Sequence, residues 1–209
     1  REVIDRLVAE GRLRHAISSN SEMGQHPLYT FEFKGEELAL FHPGVGAPLA
    51  AALLEEAIAR GSRSFVACGG AGVLRSDIAV GHLIVPTAAV RDEGTSYHYL
   101  PPSREVEASA PAIQAIETVL SAHQIPYLSG KTWTTDGVYR ETPKKVRRRR
   151  EEGCLAVEME AAALFAVARF RGATIGQILY GGDDVGGSEW DGRAWHDQAT
   201  VREKLVWLA

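Results

Sequence analysis

Apolar positions recur along this chain at two periods, and the switching between them predicts an order of strands and helices. Pro48 to Arg60 repeats at helical spacing, with Leu49, Leu53, Leu54, Ala57 and Ile58 on the face to be buried. Pro111 to His123 reads as a helix opened by its proline, and Thr142-Pro143 begins another that stops at Gly153. Thr200 to Leu208 is expected to be a terminal helix. Apolar runs without that period read as strands: Tyr29 to Phe33, Leu38 to Phe41, Ser64 to Cys68, Leu83 to Pro86, Tyr127 to Thr135 and Thr174 to Tyr180. Lys34-Gly35-Glu36-Glu37 is the expected hairpin turn between the first two. The alternation predicts an α/β fold, a three-layer sandwich around a mixed, mostly parallel twisted sheet, with residues 1–209 as a single domain.

One junction carries chemistry as well as structure. Leu155-Ala156-Val157 reads as the end of a buried strand, and Ala161 to Arg171 as a helix with an apolar stripe at Leu164, Phe165, Val167, Ala168 and Phe170. Glu158 and Glu160 therefore fall where the strand gives way to the helix. A carboxylate in a first helical turn is favoured by roughly 0.3–1 kcal/mol through the free N–H groups and the dipole, which accounts for a lone Glu. Two Glu flanking Met159 are also suited to gripping the vicinal hydroxyls of a sugar. Ligands of open α/β folds collect at the carboxyl ends of strands. Three predicted strands end in Gly69-Gly70-Ala71-Gly72, Glu158-Met159-Glu160 and Gly182-Asp183-Asp184, and a fourth runs through Asp136 into Gly137-Val138-Tyr139-Arg140. The glycine run has neither dinucleotide-fingerprint nor P-loop spacing. Asp183-Asp184 is either a polar turn or an acid pair whose proton affinity burial and like charge raise.

Composition narrows the partners. With 45% hydrophobic and 24% charged residues, 209 residues suffice for a full core, and a net charge of −4 argues against a nucleic-acid backbone. Cys68 and Cys154 lie in apolar segments, as reduced thiols of a cytoplasmic protein do. No apolar run approaches the roughly 20 residues of a membrane span, and no signal-like segment opens the chain. Arg147 to Arg150 read as a solvated helix face, because Glu151 and Glu152 follow Arg147 and Arg148 at ion-pair spacing. His196 and Asp197 stand alone without zinc spacing, so no metal is expected.

The motifs resemble the nucleoside phosphorylase family of hexameric purine nucleoside phosphorylases, uridine phosphorylases and related nucleosidases, over nearly the whole chain. Val157-Glu158-Met159-Glu160 is similar to the family's most specific signature. Gly44-Val45-Gly46-Ala47-Pro48 resembles its early glycine turn, and Cys68-Gly69-Gly70-Ala71-Gly72 its phosphate-side loop. Thr134-Thr135-Asp136-Gly137-Val138-Tyr139-Arg140 resembles its base-pocket segment. The resemblance implies a phosphorylase/hydrolase-like fold and cleavage of an N-glycosidic bond, with inorganic phosphate as co-substrate and no cofactor. Glu160 would bind the ribose hydroxyls, Met159 would pack under the sugar, and Glu158 would sit at the base side. Val138 and Tyr139, with Arg140 beside them, would line the base pocket. Asp183 would protonate N7 of a purine, and the Gly69 and Gly70 amides would face the nucleophile. It also implies a homo-oligomer, a dimer or a trimer of dimers.

Two departures bear on the nucleophile. Ala67 and Gly70 stand where phosphorolytic members place an Arg and a hydroxyl, and the family's first strand and Gly-Asp-Pro loop are expected to lie before Arg1. Arg1, Arg75 and Arg91 are the substitutes available for the anion. Phosphorolysis leads, since Arg91 to Pro102 and Thr134 to Thr142 look more like phosphorylases; hydrolysis by water and an idle nucleoside-binding protein are the alternatives. Asp183 favours a purine, whereas Arg91-Asp92-Glu93-Gly94-Thr95-Ser96 looks closer to uridine phosphorylases.

Overall fold

A computed structural model describes residues 2–195 and 199–209, so Arg1, His196 and Asp197 lie outside the described residues. Contacts group the chain into two compact units that divide after Gly44. The first holds α1 (Glu2–Ala9) and an antiparallel sheet of β1 (Arg14–Ser21), β2 (Gly24–Phe33) and β3 (Glu36–Phe41), in that order. Lys34 and Gly35 form the β2–β3 turn with φ of 54° and 85°, the left-handed pair that a two-residue hairpin demands. Neither α1 nor β1 was expected. The Arg14–Ser21 strand is polar and mostly exposed, so it has no apolar alternation to show, and only its pairing with β2 defines it.

The second unit carries α2 (Ala47–Ala59), β4 (Ser64–Val73), β5 (Leu83–Asp92), β6 (Glu105–Glu107), α3 (Ala110–Ala122), β7 (Tyr127–Thr135), α4 (Pro143–Glu151), β8 (Cys154–Glu158), α5 (Ala161–Arg171), β9 (Thr174–Asp184) and α6 (Ala199–Leu208). Its strands are ordered β6-β5-β7-β8-β4-β9. The long ladders, β4–β9 and β5–β7, are parallel, as is β7–β8; β4–β8 and β5–β6 are antiparallel. This is the mixed α/β sheet expected, but it does not form the plain three-layer sandwich expected with it. β9 turns back to pair with β5 at Leu83–Tyr180 and Ile84–Leu179, which gives the sheet a barrel-like closure. β4, β5 and β9 run past Cys68, Pro86 and Tyr180 to Val73, Asp92 and Asp184, and irregularities at Ala71/Val73 and Pro86/Ala88 bend β4 and β5.

Helices α2 and α5 pack together through small residues, with Ala50, Ala51 and Leu54 against Ala161, Ala162 and Phe165 in one buried cluster. Every residue of α5 from Ala161 to Ala168 is buried, so the helix is apolar all round rather than striped. Phe170 is the exception, 54% exposed and edge-on to Tyr99. The arginine run also departs from expectation. Arg148 pairs with Glu152, but Arg149 is 4% exposed, bonded to Asp92 and Glu152 with its guanidinium 5.3 Å from the Trp133 ring centroid. One face of α4 is therefore a buried clamp on the ends of β5 and β7. Cys68 and Cys154 are free thiols. No helix among the described residues is long and apolar enough to cross a membrane.

Candidate active site

The four predicted strand ends belong to β7, β8, β4 and β9, which are consecutive neighbours in the sheet. At the end of β8, Glu158 is 6% exposed and turns inward. Its Oε2 accepts the amides of Glu160 at 2.7 Å and Ala161 at 2.6 Å, while Oε1 accepts the Thr134 hydroxyl at 2.7 Å. Thr134 Oγ1 in turn accepts the Ala162 amide. Glu158 thus satisfies the free donors of the α5 start from the strand side, a capping task. Both of its oxygens take donors from within the protein. Burial, then the charge of Glu160, push its carboxyl up to about 7 against the pull of Thr134 and the two amides.

Glu160 is the N-cap of α5, and its Oε1 accepts the amide of Gly46, the N-cap of α2, at 2.6 Å. The carboxylate is therefore held between two helix starts, whose free N–H groups favour negative charge. Burial raises its proton affinity, opposed by the Gly46 and Met159 amides. Met159 lies half-buried between the two acids.

Across the β4–β8 pair, Gly72 is partnered with Val157. A Cβ added at Gly72 would lie 3.0 Å from Val157 Cγ1 and 3.4 Å from Asp183 Oδ1, so the glycine leaves room for that carboxyl. The other oxygen, Oδ2, accepts the indole N–H of Trp190 at 2.7 Å. Asp184 is not its acidic partner. Successive strand residues face opposite ways, and Asp184 instead accepts the Gly186 amide and exchanges backbone bonds with Asp191. The Glu141 carboxyl is pushed up to about 7 by burial and then by the Asp183 charge. Sequence reasoning passed over Glu141, although it directly follows Gly137–Arg140. Val138 to Arg140 form a short 3₁₀ turn, with Val138 48% and Tyr139 96% exposed and Arg140 exposed.

The glycines expected to face the anion are strand, not loop: Gly69 and Gly70 pair with Leu179 and Tyr180 of β9. A Cβ at Gly70 would sit 2.8 Å from the Tyr180 ring, whereas nothing lies within 4 Å of one at Gly69. Pairing of β4 with β8 is confined to Gly72 and Val73, so the stretch before them is open on that side. Arg91 departs from its expected role. It is 2% exposed, donates to Ser96 Oγ, Pro101 O, Ser103 Oγ and Leu100 O, and stacks on Tyr97 at 3.9 Å. These contacts make it a tie for the segment after β5 rather than an anion ligand. Arg75 is ion-paired with Asp77. Among the described residues no group of His, Cys, Asp or Glu is arranged to hold a metal ion.

The two raised carboxyls set a pH dependence. Glu158 and Glu141 bind protons more tightly folded, at about 7, than unfolded, at about 4.5. Folding takes up protons between those values, so their contribution is full below pH 4.5 and lost as pH rises to 7. Denaturant titrations at pH 5 and pH 8 should show a smaller fall in Glu158→Gln than in the native sequence; equal falls would exclude Glu158 as the source.

The family model of the phosphorylase superfamily matches residues 3–205. A guanosine phosphorylase of Halorubrum lacusprofundi is 32% identical over 158 residues, 74% of this chain and 64% of that protein. A uridine phosphorylase of Thermococcus kodakarensis is 29% identical over 171 residues, 74% of this chain and 60% of that protein. The chain thus spans about three-fifths of the length of these curated relatives. The solved structure of an AMP nucleosidase from Bacteroides thetaiotaomicron superposes with a TM-score of 0.76, at 23% identity over 97% of this chain and 79% of that one, which speaks to fold. With the four motif-bearing strand ends of β7, β8, β4 and β9 side by side and the match running almost end to end, the chain belongs to the phosphorylase superfamily.

Proposed function

We propose that this protein cleaves the N-glycosidic bond of a nucleoside by phosphorolysis, releasing free base and ribose 1-phosphate, with a purine nucleoside preferred. The observation that carries the reading is the placement of two acids about one strand pair. Glu160 follows Val157 by one helix start, and Asp183 Oδ1 faces Gly72, the partner of Val157. A sugar held at Glu160 would present its C1′ substituent towards Asp183. As the bond breaks, the electron pair leaves with the base, and a proton from Asp183 makes that departure easier. The sugar gains positive charge, which the fixed Glu160 carboxylate favours. A phosphate oxygen then bonds to C1′. The curated relatives named for guanosine and uridine phosphorolysis support this class of reaction.

Water as nucleophile is the second reading, and one observation favours it: Ala67 and Gly70 offer no charge or hydroxyl, and Arg91 is committed elsewhere. A nucleoside panel incubated with and without inorganic phosphate separates the two. Base and ribose 1-phosphate are expected only with phosphate; full activity in phosphate-free buffer would replace phosphorolysis by hydrolysis. Nucleosides that raise the melting temperature without any release of base would leave a binding protein. The proposal includes a homo-oligomer, since the exposed Val138 and Tyr139 offer apolar surface for a neighbouring copy to cover.

A further inference from the structure

Trp190 is 67% exposed, yet its one polar atom is aimed at the carboxyl placed at the base. Packing does not explain that aim, because most of the ring touches solvent. The loop that presents it is built. Asp184 and Asp191 close its base with backbone bonds of 2.8 and 3.0 Å, and the Asp184 side chain takes the Gly186 amide at 2.7 Å. Arg193 ties the return of the loop to the carbonyls of Gly182 and Ile78, at 3.0 and 2.8 Å. The ring lies over Gly192, where an added Cβ would come within 2.8 Å of it.

The chemistry of that contact is directional. An indole N–H only donates, so the Asp183 oxygen it meets must accept. We propose that Trp190 is a positioning residue for the proton donor: it pins Oδ2 of Asp183, so that the proton passed to a purine ring nitrogen is carried on Oδ1, the oxygen facing Gly72. This rests on the phosphorolytic reading above. In the step, the Oδ1–H bond breaks as the base nitrogen takes the proton, the C1′–N electron pair goes to the base, and phosphate oxygen bonds to C1′. Asp183 is left as carboxylate and regains its proton from solvent.

The test compares inosine with 4-nitrophenyl β-ribofuranoside, whose leaving group departs without protonation, each with inorganic phosphate. Trp190→Phe keeps a ring without the donor. It is expected to lower kcat for inosine about tenfold or more, with KM within about twofold, and to spare the nitrophenyl riboside. Gly192→Ala, which crowds the ring off Asp183 while keeping Trp190, should give the same split. An unchanged inosine kcat, or an equal loss on both substrates, would overturn the positioning role. Native protein that cleaves the nitrophenyl riboside but not inosine, or neither, would overturn the purine reading and this inference with it.

Discussion

On the proposed mechanism, Asp183→Asn is expected to lower the rate of purine nucleoside cleavage by about 10²-fold or more, the usual worth of a general acid. The amide keeps the shape of the carboxyl and can still accept the Trp190 indole through its oxygen. What it loses is the transferable proton. A rate measured with inosine and phosphate at neutral pH checks this, and a purine rate unchanged in the variant removes Asp183 from the chemistry. The same variant should leave melting nearly where it was, because Asp183 is only partly buried and its neighbours remain partnered.

The second large effect is on stability. Glu158→Ala strips partners from the Glu160 and Ala161 amides and from the Thr134 hydroxyl at a buried junction. Hydrogen bonds to a charged acceptor and the loss of a helix cap together set the expected cost at about 3 kcal/mol. For a chain of this size that lowers Tm by roughly 6–12 °C. Glu158→Gln should retain most of the stability, since its carbonyl can take the amides while its NH₂ faces the Thr132 and Thr134 hydroxyls. Equal melting of Glu158→Ala and the native protein would show that the α5 start does not depend on this side chain.

The two glutamates teach where sequence reasoning reaches and where it stops. Their position at a strand-to-helix junction was legible, because strand and helix periods meet between Val157 and Ala161. The division of labour was not. Which acid turns inward depends on Thr132 and Thr134, about 25 residues away and brought alongside by the β7–β8 ladder. The same holds for Arg91. A charged residue ending an apolar run looks available for an anion, and only the fold brings Ser96, Leu100, Pro101 and Ser103 around it. The glycine runs read as loops because glycine punctuates turns; in the sheet they are strand, with Gly70 fitted against Tyr180 and Gly72 leaving room for Asp183. The barrel-like closure was beyond periodicity altogether, since it turns on bends within β4 and β5. Trp190 carried no periodic signal; its bond to Asp183 comes from a ring placed over Gly192 by a closed loop.

The return of β9 to β5 has a consequence for colloidal behaviour. A sheet that meets itself offers few unpaired rims on which a stranger could zip, and here its one terminal strand, β6, is three residues long. In the antiparallel sheet of the first unit, among the described residues, β1 and β3 are each strand-paired on one flank. Within that sheet the edges that could take up another strand are Arg14–Ser21 and Glu36–Phe41, where charged side chains, joined by serines in the first, work against such pairing.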